Sequence, residues 1–119
     1  MRDLDVGSLP VIHDQHLVGV ITDRDICCRA VAKGKSTSTT TANECMSSPV
    51  FTVTVDTDLS QACRVFEEKE VRRLPVIDSK SHVVGIVSLA DLVERAPEQY
   101  AREVLRYASK PGGAVAAAH

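Results

Sequence analysis

Aromatic side chains are scarce in this sequence: two Phe, two Tyr and no Trp make up 3% of its 119 residues. Phe51, Phe66, Tyr100 and Tyr107 are scattered rather than paired along one strand, so the stacking platform that reads single-stranded nucleic acid is missing. An excess of one charge is missing too. Fourteen Lys and Arg stand against sixteen Asp and Glu, a net charge of -2 with no basic block, whereas phosphate neutralisation needs clustered cations. Both features argue against a nucleic-acid partner. Apolar runs such as Leu17 to Ile21 and Val83 to Val87 fall far short of the roughly 20 residues that span a bilayer. The start, Met1-Arg2-Asp3-Leu4-Asp5, has no apolar signal core. Membrane insertion and secretion are therefore not expected.

Cysteine is present but unpatterned. Cys27, Cys28, Cys45 and Cys63 contain no C-x-x-C and give neither a secreted disulfide framework nor zinc-ribbon spacing. A reducing, cytoplasmic setting is the expectation. With 44% hydrophobic residues, a chain of this length buries roughly two-thirds of the surface its unfolded form exposes and holds a core without staples. The size fits one globular domain.

What the sequence does contain is a repeat. Leu9-Pro10-Val11-Ile12 returns as Leu74-Pro75-Val76-Ile77, 65 residues on, and Leu17-Val18-Gly19-Val20-Ile21-Thr22 returns as Val83-Val84-Gly85-Ile86-Val87-Ser88, 66 residues on. One extra residue within Asp78 to His82 accounts for the difference. Each copy continues to an acid three residues later, Asp25 or Asp91. Short β-branched runs flanking a polar turn predict strand, turn, strand and then helix. Upstream of the second copy, Val50 to Val55 predicts a strand. Asp58 with Gln61 predicts a capped helix to about Glu70, its stripe formed by Leu59, Ala62, Cys63 and Phe66.

On this alignment Met1 falls opposite Phe66, so the first copy is expected to retain only the tail of that helix and to lack its opening strand. Residues 1–32 make the first repeat and 33–41 a Ser/Thr-rich linker. Residues 42–95 make the second repeat, 96–110 a C-terminal helix and 111–119 a tail. Thr41 and Glu44 predict a capping box for a short helical turn ahead of Pro49. In the C-terminal helix, Pro97 is placed near the first turn and Ala101, Val104, Leu105 and Ala108 on the apolar face.

Gly19-Val20-Ile21-Thr22-Asp23-Arg24-Asp25 and Gly85-Ile86-Val87-Ser88-Leu89-Ala90-Asp91, each downstream of Leu-Pro-Val-Ile, resemble the cystathionine-beta-synthase (CBS) domain. Here it stands as a tandem pair, the arrangement also called a Bateman module, with the linker of small stand-alone bacterial members. The resemblance covers roughly residues 1 to 95. It implies an α/β (α+β) fold of two β-α-β-β-α repeats with pseudo-twofold symmetry, the first truncated at its N-terminus, and a flat homodimer. It also implies binding of an adenosine-containing ligand (AMP, ADP, ATP, S-adenosylmethionine or NAD) in a cleft between the repeats. Regulation of a separate protein, rather than catalysis, would be the outcome, with no required cofactor.

Against that background each motif carries two readings. Thr22-x-x-Asp25 and Ser88-x-x-Asp91 are helix caps; they can also present a hydroxyl and an acceptor-only carboxylate to ribose and phosphate. Arg72 and Arg73, replaced by Gly7 and Ser8 in the first copy, are either the solvated end of a helix or phosphate ligands. Arg24 pairs with Asp23 or Asp25, or reaches a phosphate. Ser8, Ile21, Pro49, Val50 and Val87 are secondary candidates, the apolar ones walling an adenine or simply filling the core. Gly19 and Gly85 permit close strand packing or backbone approach to a ligand.

His13-x-x-His16 reads as exposed turn residues before it reads as a metal site. Cys27 and Cys28 read as helix residues, one buried and one partly exposed, before a redox switch. Gly34-Lys35-Ser36 lacks the earlier glycine of a P-loop, Arg29 standing in its place. No nucleophile, base and orienter can be assembled. The alternatives to a ligand sensor are a ligand-free dimerisation module and, more remotely, a metal or redox sensor.

Overall fold

In the computed structural model of the chain, which describes residues 1–109, the elements run β1 (Ser8–His13), β2 (His16–Thr22), α1 (Asp23–Ile26) continued by a π-helical turn (Cys27–Val31), and α2 (Ala42–Cys45). There follow β3 (Val53–Thr54), α3 (Leu59–Lys69), β4 (Arg73–Ile77), β5 (Val83–Ser88), α4 (Leu89–Arg95) and α5 (Glu98–Ala108). The fold is mixed α/β, as expected. The expected tail, 111–119, lies outside the described residues, as does residue 110. Two compact units result, Met1–Val50 and one beginning at Phe51.

The repeat is reproduced in register. In the first unit β1 and β2 pair antiparallel with Ser8 opposite Thr22 and Val11 opposite Gly19, and the register slips between Val11 and Ile12. In the second, β4 and β5 pair with Arg73 opposite Ser88 and Val76 opposite Gly85, slipping between Val76 and Ile77. Each slip inserts one residue, Val18 or Val84, a bulge at the same place in both hairpins. The extra residue of the second copy lies in its loop. Asp14 and Gln15 alone turn the first hairpin, both at positive φ, the geometry a two-residue connection demands. The second turns through Asp78 to His82, where Asp78 Oδ1 accepts the Lys80 and His82 amides at 2.8 and 2.9 Å.

The helix tail expected before Gly7 is not formed as a helix, since residues 2–5 make turns, but one turn there repeats the end of α3. Glu70 leaves α3 at φ 52° with the Val71 amide donating to the Phe66 carbonyl at 3.3 Å. Asp5 sits at φ 50° with the Val6 amide on the Met1 carbonyl at 3.2 Å. Both are left-handed residues followed by an amide-to-carbonyl bond spanning five residues, which at Glu70 closes the end of α3.

The second unit holds the larger core. Phe66 and Leu74 are fully buried, and Val53, Cys63, Leu89, Leu92, Val104 and Tyr107 close around them. Leu59 stays at the edge of the α3 stripe, partly exposed. The first unit gathers Ile21, Ala30 and Cys45, with Met1, Val11, Ile26 and Met46 packed against them. The segment 42–50 packs in this unit: Ser47 and Val20 exchange backbone bonds of 2.9 and 3.2 Å. Thr41 donates its amide to Glu44 at 2.7 Å, as its capping motif requires.

Three expectations are corrected. The strand from Val50 to Val55 shrinks to Val53 and Thr54, which pair parallel with Val76 and Ile77. A hydroxyl turn then ends it, Thr54 donating its amide to Thr57 Oγ1 at 3.0 Å. On α5 the buried residues are Val104 and Tyr107, with Tyr100 partly buried, whereas Leu105 and Ala108 are exposed. The aromatic rings shift the buried stripe to positions i, i+4 and i+7. Finally, neither Cys27 nor Cys28 is buried. The backbone there widens to a bond from the Ala32 amide to the Cys27 carbonyl, 2.8 Å, and turns Ala30 inward instead.

The two glycines separate in role. A Cβ on Gly19 would lie 2.3 Å from Met46 Sδ, 2.8 Å from its Cγ and 3.1 Å from the Ser47 carbonyl oxygen, while one on Gly85 would meet nothing within 4 Å. Gly19→Ala is therefore expected to cost about 1–3 kcal/mol through overpacking, and Gly85→Ala to stay within roughly 0.5 kcal/mol of the parent. Urea unfolding of both variants measures the difference; equal midpoints would mean that Met46 moves aside freely.

Candidate ligand-binding site

Both hydroxyl and acid pairs form complete caps. Thr22 Oγ1 accepts the Asp25 amide at 3.0 Å, and Asp25 Oδ2 accepts the Thr22 amide at 2.9 Å. Ser88 Oγ accepts the Asp91 amide at 3.1 Å, while Asp91 Oδ2 takes the Ser88 amide at 2.8 Å and its hydroxyl at 2.7 Å. The extended backbone of Thr22 and Ser88, each the last residue of its strand, aims the hydroxyl along the following helix. Capping is thus the structural role of these residues.

Their surroundings differ. Asp91 is half-buried, whereas Asp25 is 1% exposed. Hydrogen bonds from the Ser88 hydroxyl and amide hold the Asp91 carboxyl below the usual carboxylate range, with the Arg95 and Arg73 charges helping and burial opposing.

Arg72 and Arg73 are exposed, and they are not a helix end. Helix α3 stops at Lys69, and Arg73 opens β4 directly opposite Ser88. The Arg72 carbonyl accepts the Leu89 amide at 3.1 Å, as the Gly7 carbonyl accepts the Asp23 amide at 3.0 Å. Gly7-Ser8 and Arg72-Arg73 are therefore equivalent positions. Ser8 is buried against Thr22 on the neighbouring strand. Arg24 is exposed, its amide on Asp23 Oδ1 at 2.8 Å.

Ile21 belongs to the first core and Val87 packs on the second. Pro49 is exposed after a cis peptide bond with Ser48, and Val50 is half-buried. His13 and His16 face each other across the first hairpin, both exposed. Among the described residues no group of three or more His, Cys, Asp or Glu could hold a metal ion, and no helix is long and apolar enough to cross a membrane.

A crevice in the second unit, lined by Cys63, Phe66, Glu103 and Tyr107 among others, encloses about 10 Å³. That is room for a water and not for a nucleoside. Burial, then the Glu103 charge, pushes the Cys63 thiol up.

Sequence reasoning missed the arginines four residues after each acid. Arg29 Nε lies 3.9 Å from Asp25 Oδ1, and Arg95 helps hold the Asp91 charge. Asp-x-x-x-Arg recurs in both copies at the repeat spacing, a signal the shorter motif hid.

The CBS domain family model matches residues 1–30 and 42–98, one segment in each repeat. The chain belongs to the CBS domain family. Its relative Hypoxic response protein 1 of Mycobacterium tuberculosis is 39% identical over 99 residues, 82% of this chain and 68% of that protein. A crystal structure of that protein with two coordinated zinc ions superposes with a TM-score of 0.71 at 38% identity, over 82% of this chain and 78% of the other. CBSX2 in complex with AMP gives a TM-score of 0.64 at 30% identity, covering 80% and 74%. The CBS domain pair of MJ0100, in complex with 5-methylthioadenosine and S-adenosyl-L-methionine, gives 0.66 at 28%, covering 78% and 72%. The chain spans from 50% to 68% of the length of three curated relatives it matches.

The cap around Asp91 predicts a pH signature. Asp91→Ala is expected to lose about 1 kcal/mol at neutral pH. Because the folded carboxyl titrates low, that contribution is complete above about pH 4 and drains away as pH falls through the folded value. The wild-type and variant unfolding curves should therefore converge in acid. Curves that remain equally far apart would show that the carboxylate charge does not hold the cap.

Proposed function

We propose that this CBS pair is a regulatory module that binds an adenosine-containing ligand, one of AMP, ADP, ATP, S-adenosylmethionine or NAD, and passes its occupancy to a separate protein by a change of shape. The observation that carries the reading is the half-buried Asp91 carboxylate, fixed by Ser88 beside the exposed Arg72 and Arg73. A carboxylate only accepts, which suits the paired hydroxyls of a ribose. Guanidinium groups suit phosphate oxygens. The AMP complex of CBSX2 and the adenosyl complexes of MJ0100 support the ligand class. Energy or methyl-donor sensing follows from that class, since a ligand shifts a protein toward whichever conformation holds it better. The module works without catalysis or a cofactor, as a cytoplasmic homodimer.

A second reading is favoured by one observation: both acids are already used as caps. On that reading the chain is a ligand-free dimerisation module.

Isothermal titration of ligand-free protein with AMP, ATP, S-adenosylmethionine and NAD decides between them. Saturable binding of one ligand is expected, weakened by about tenfold or more, some 1.4 kcal/mol, in Asp91→Ala. Arg73→Ala leaves the cap intact and should weaken a phosphorylated ligand alone. Equal affinity in wild type and Asp91→Ala would remove Asp91 from the site, and no binding by the wild type would favour the dimerisation module.

A further inference from the structure

The two repeats cap their helices alike but use the acid differently. Asp25 is almost completely buried, and its Oδ1 has no hydrogen-bond donor; it faces Arg29 Nε at 3.9 Å. A buried carboxylate without a counter-charge is costly, so the guanidinium offsets it and is itself held in place. Arg29 then reaches out of the repeat motif. Its Nη1 donates to the carbonyls of Cys45 and Met46, at 2.9 Å each. These carbonyls end α2, where helix geometry leaves them without partners of their own.

The next residue, Ser47, pairs with Val20 in both directions, and the Met46 side chain lies over Gly19. Arg29 therefore closes a ring that leaves β2 at Thr22, passes through α1 and the π-helical turn to the end of α2, and returns to β2 at Val20. In the second unit the corresponding acid, Asp91, remains half-buried, and Arg95 is exposed.

We infer that Asp25 and Arg29 form a structural clamp fastening residues 45–47 onto β2, and that the chain consequently takes one adenosine ligand, at the Asp91 repeat. The stoichiometry rests on the ligand reading proposed above; the clamp does not. Binding at the first repeat would require the Asp25 carboxylate to come out from cover and give up its contact with Arg29. The exposed arginine pair at the second repeat has only Gly7 and Ser8 as its first-repeat counterpart.

Native mass spectrometry and titration of the wild-type chain with AMP and with S-adenosylmethionine measure the first consequence. One ligand per chain is expected, and two per chain would overturn the division between repeats. Hydrogen exchange measures the second. In Arg29→Met the amides of Val20, Met46 and Ser47 should exchange at least tenfold faster, the Ile86 amide should not change, and AMP affinity should stay within twofold of wild type.

Unchanged protection at those three amides would overturn the clamp. Lost AMP binding in a folded variant would overturn the separation of clamp from site. If Arg29→Met does not fold, Arg29→Lys, which keeps the charge but has one nitrogen and cannot serve Asp25 and the carbonyls at once, should show the same acceleration at about threefold. A wild type that binds neither probe removes the ligand reading and the stoichiometry with it, while the exchange result still decides the clamp.

Discussion

The bond on which the candidate site depends is a short one, from the backbone amide of a strand's last residue to a carboxylate three residues later. It joins Thr22 to Asp25 at 2.9 Å and Ser88 to Asp91 at 2.8 Å. A chain leaving a strand for a helix exposes amides that the helix cannot satisfy, and a hydroxyl with an acid at this spacing satisfies two of them reciprocally. The same bond fixes where the acid points. Any ligand role for Asp91 is therefore built on a structural need that exists without a ligand, which is why one motif supports both a cap and a site.

Much of this was legible because the chain states its plan twice. Matching Leu9-Pro10-Val11-Ile12 to Leu74-Pro75-Val76-Ile77 implied equal hairpins, and the observed registers agree down to the position of the bulge. The repeat offset also pairs Asp5 with Glu70, and both take the same left-handed conformation, although only Glu70 ends a helix. What stayed hidden depended on contacts between distant residues. Nothing in Val50 to Val55 says that β4 offers it only two partners, and nothing in the α5 sequence says that Tyr107 outcompetes Leu105 for cover. At Cys27 the sequence predicts a helix, but the wider turn that exposes the thiol is a property of the backbone path.

The site divides in the same manner. Ser88 and Asp91 follow from local sequence, because a cap is a local interaction. That Arg73 lies opposite Ser88 follows from strand register, readable once the hairpin is drawn. Asp25, by contrast, holds the same place in its motif as Asp91 but is buried, and burial is set by what packs over it. Arg29 was invisible as a partner because the carbonyls it holds belong to Cys45 and Met46, 16 and 17 residues away.

Repeats that begin alike need not stay alike, and the constraint that drives them apart is the cost of burying charge. A carboxylate at the end of a strand is tolerated in the open with a few donors, as at Asp91, where hydrogen bonds keep it ionised. Once covered, it demands a cation close by, and in the first unit Arg29 meets that demand. The guanidinium has further donors, and Nη1 gives its own to the terminal carbonyls of a helix. The fastening of residues 45–47 thus follows from covering Asp25. In the second unit Asp91 stays half-buried and Arg95 exposed, so there the burial cost does not arise and the same pair of residues remains at the surface.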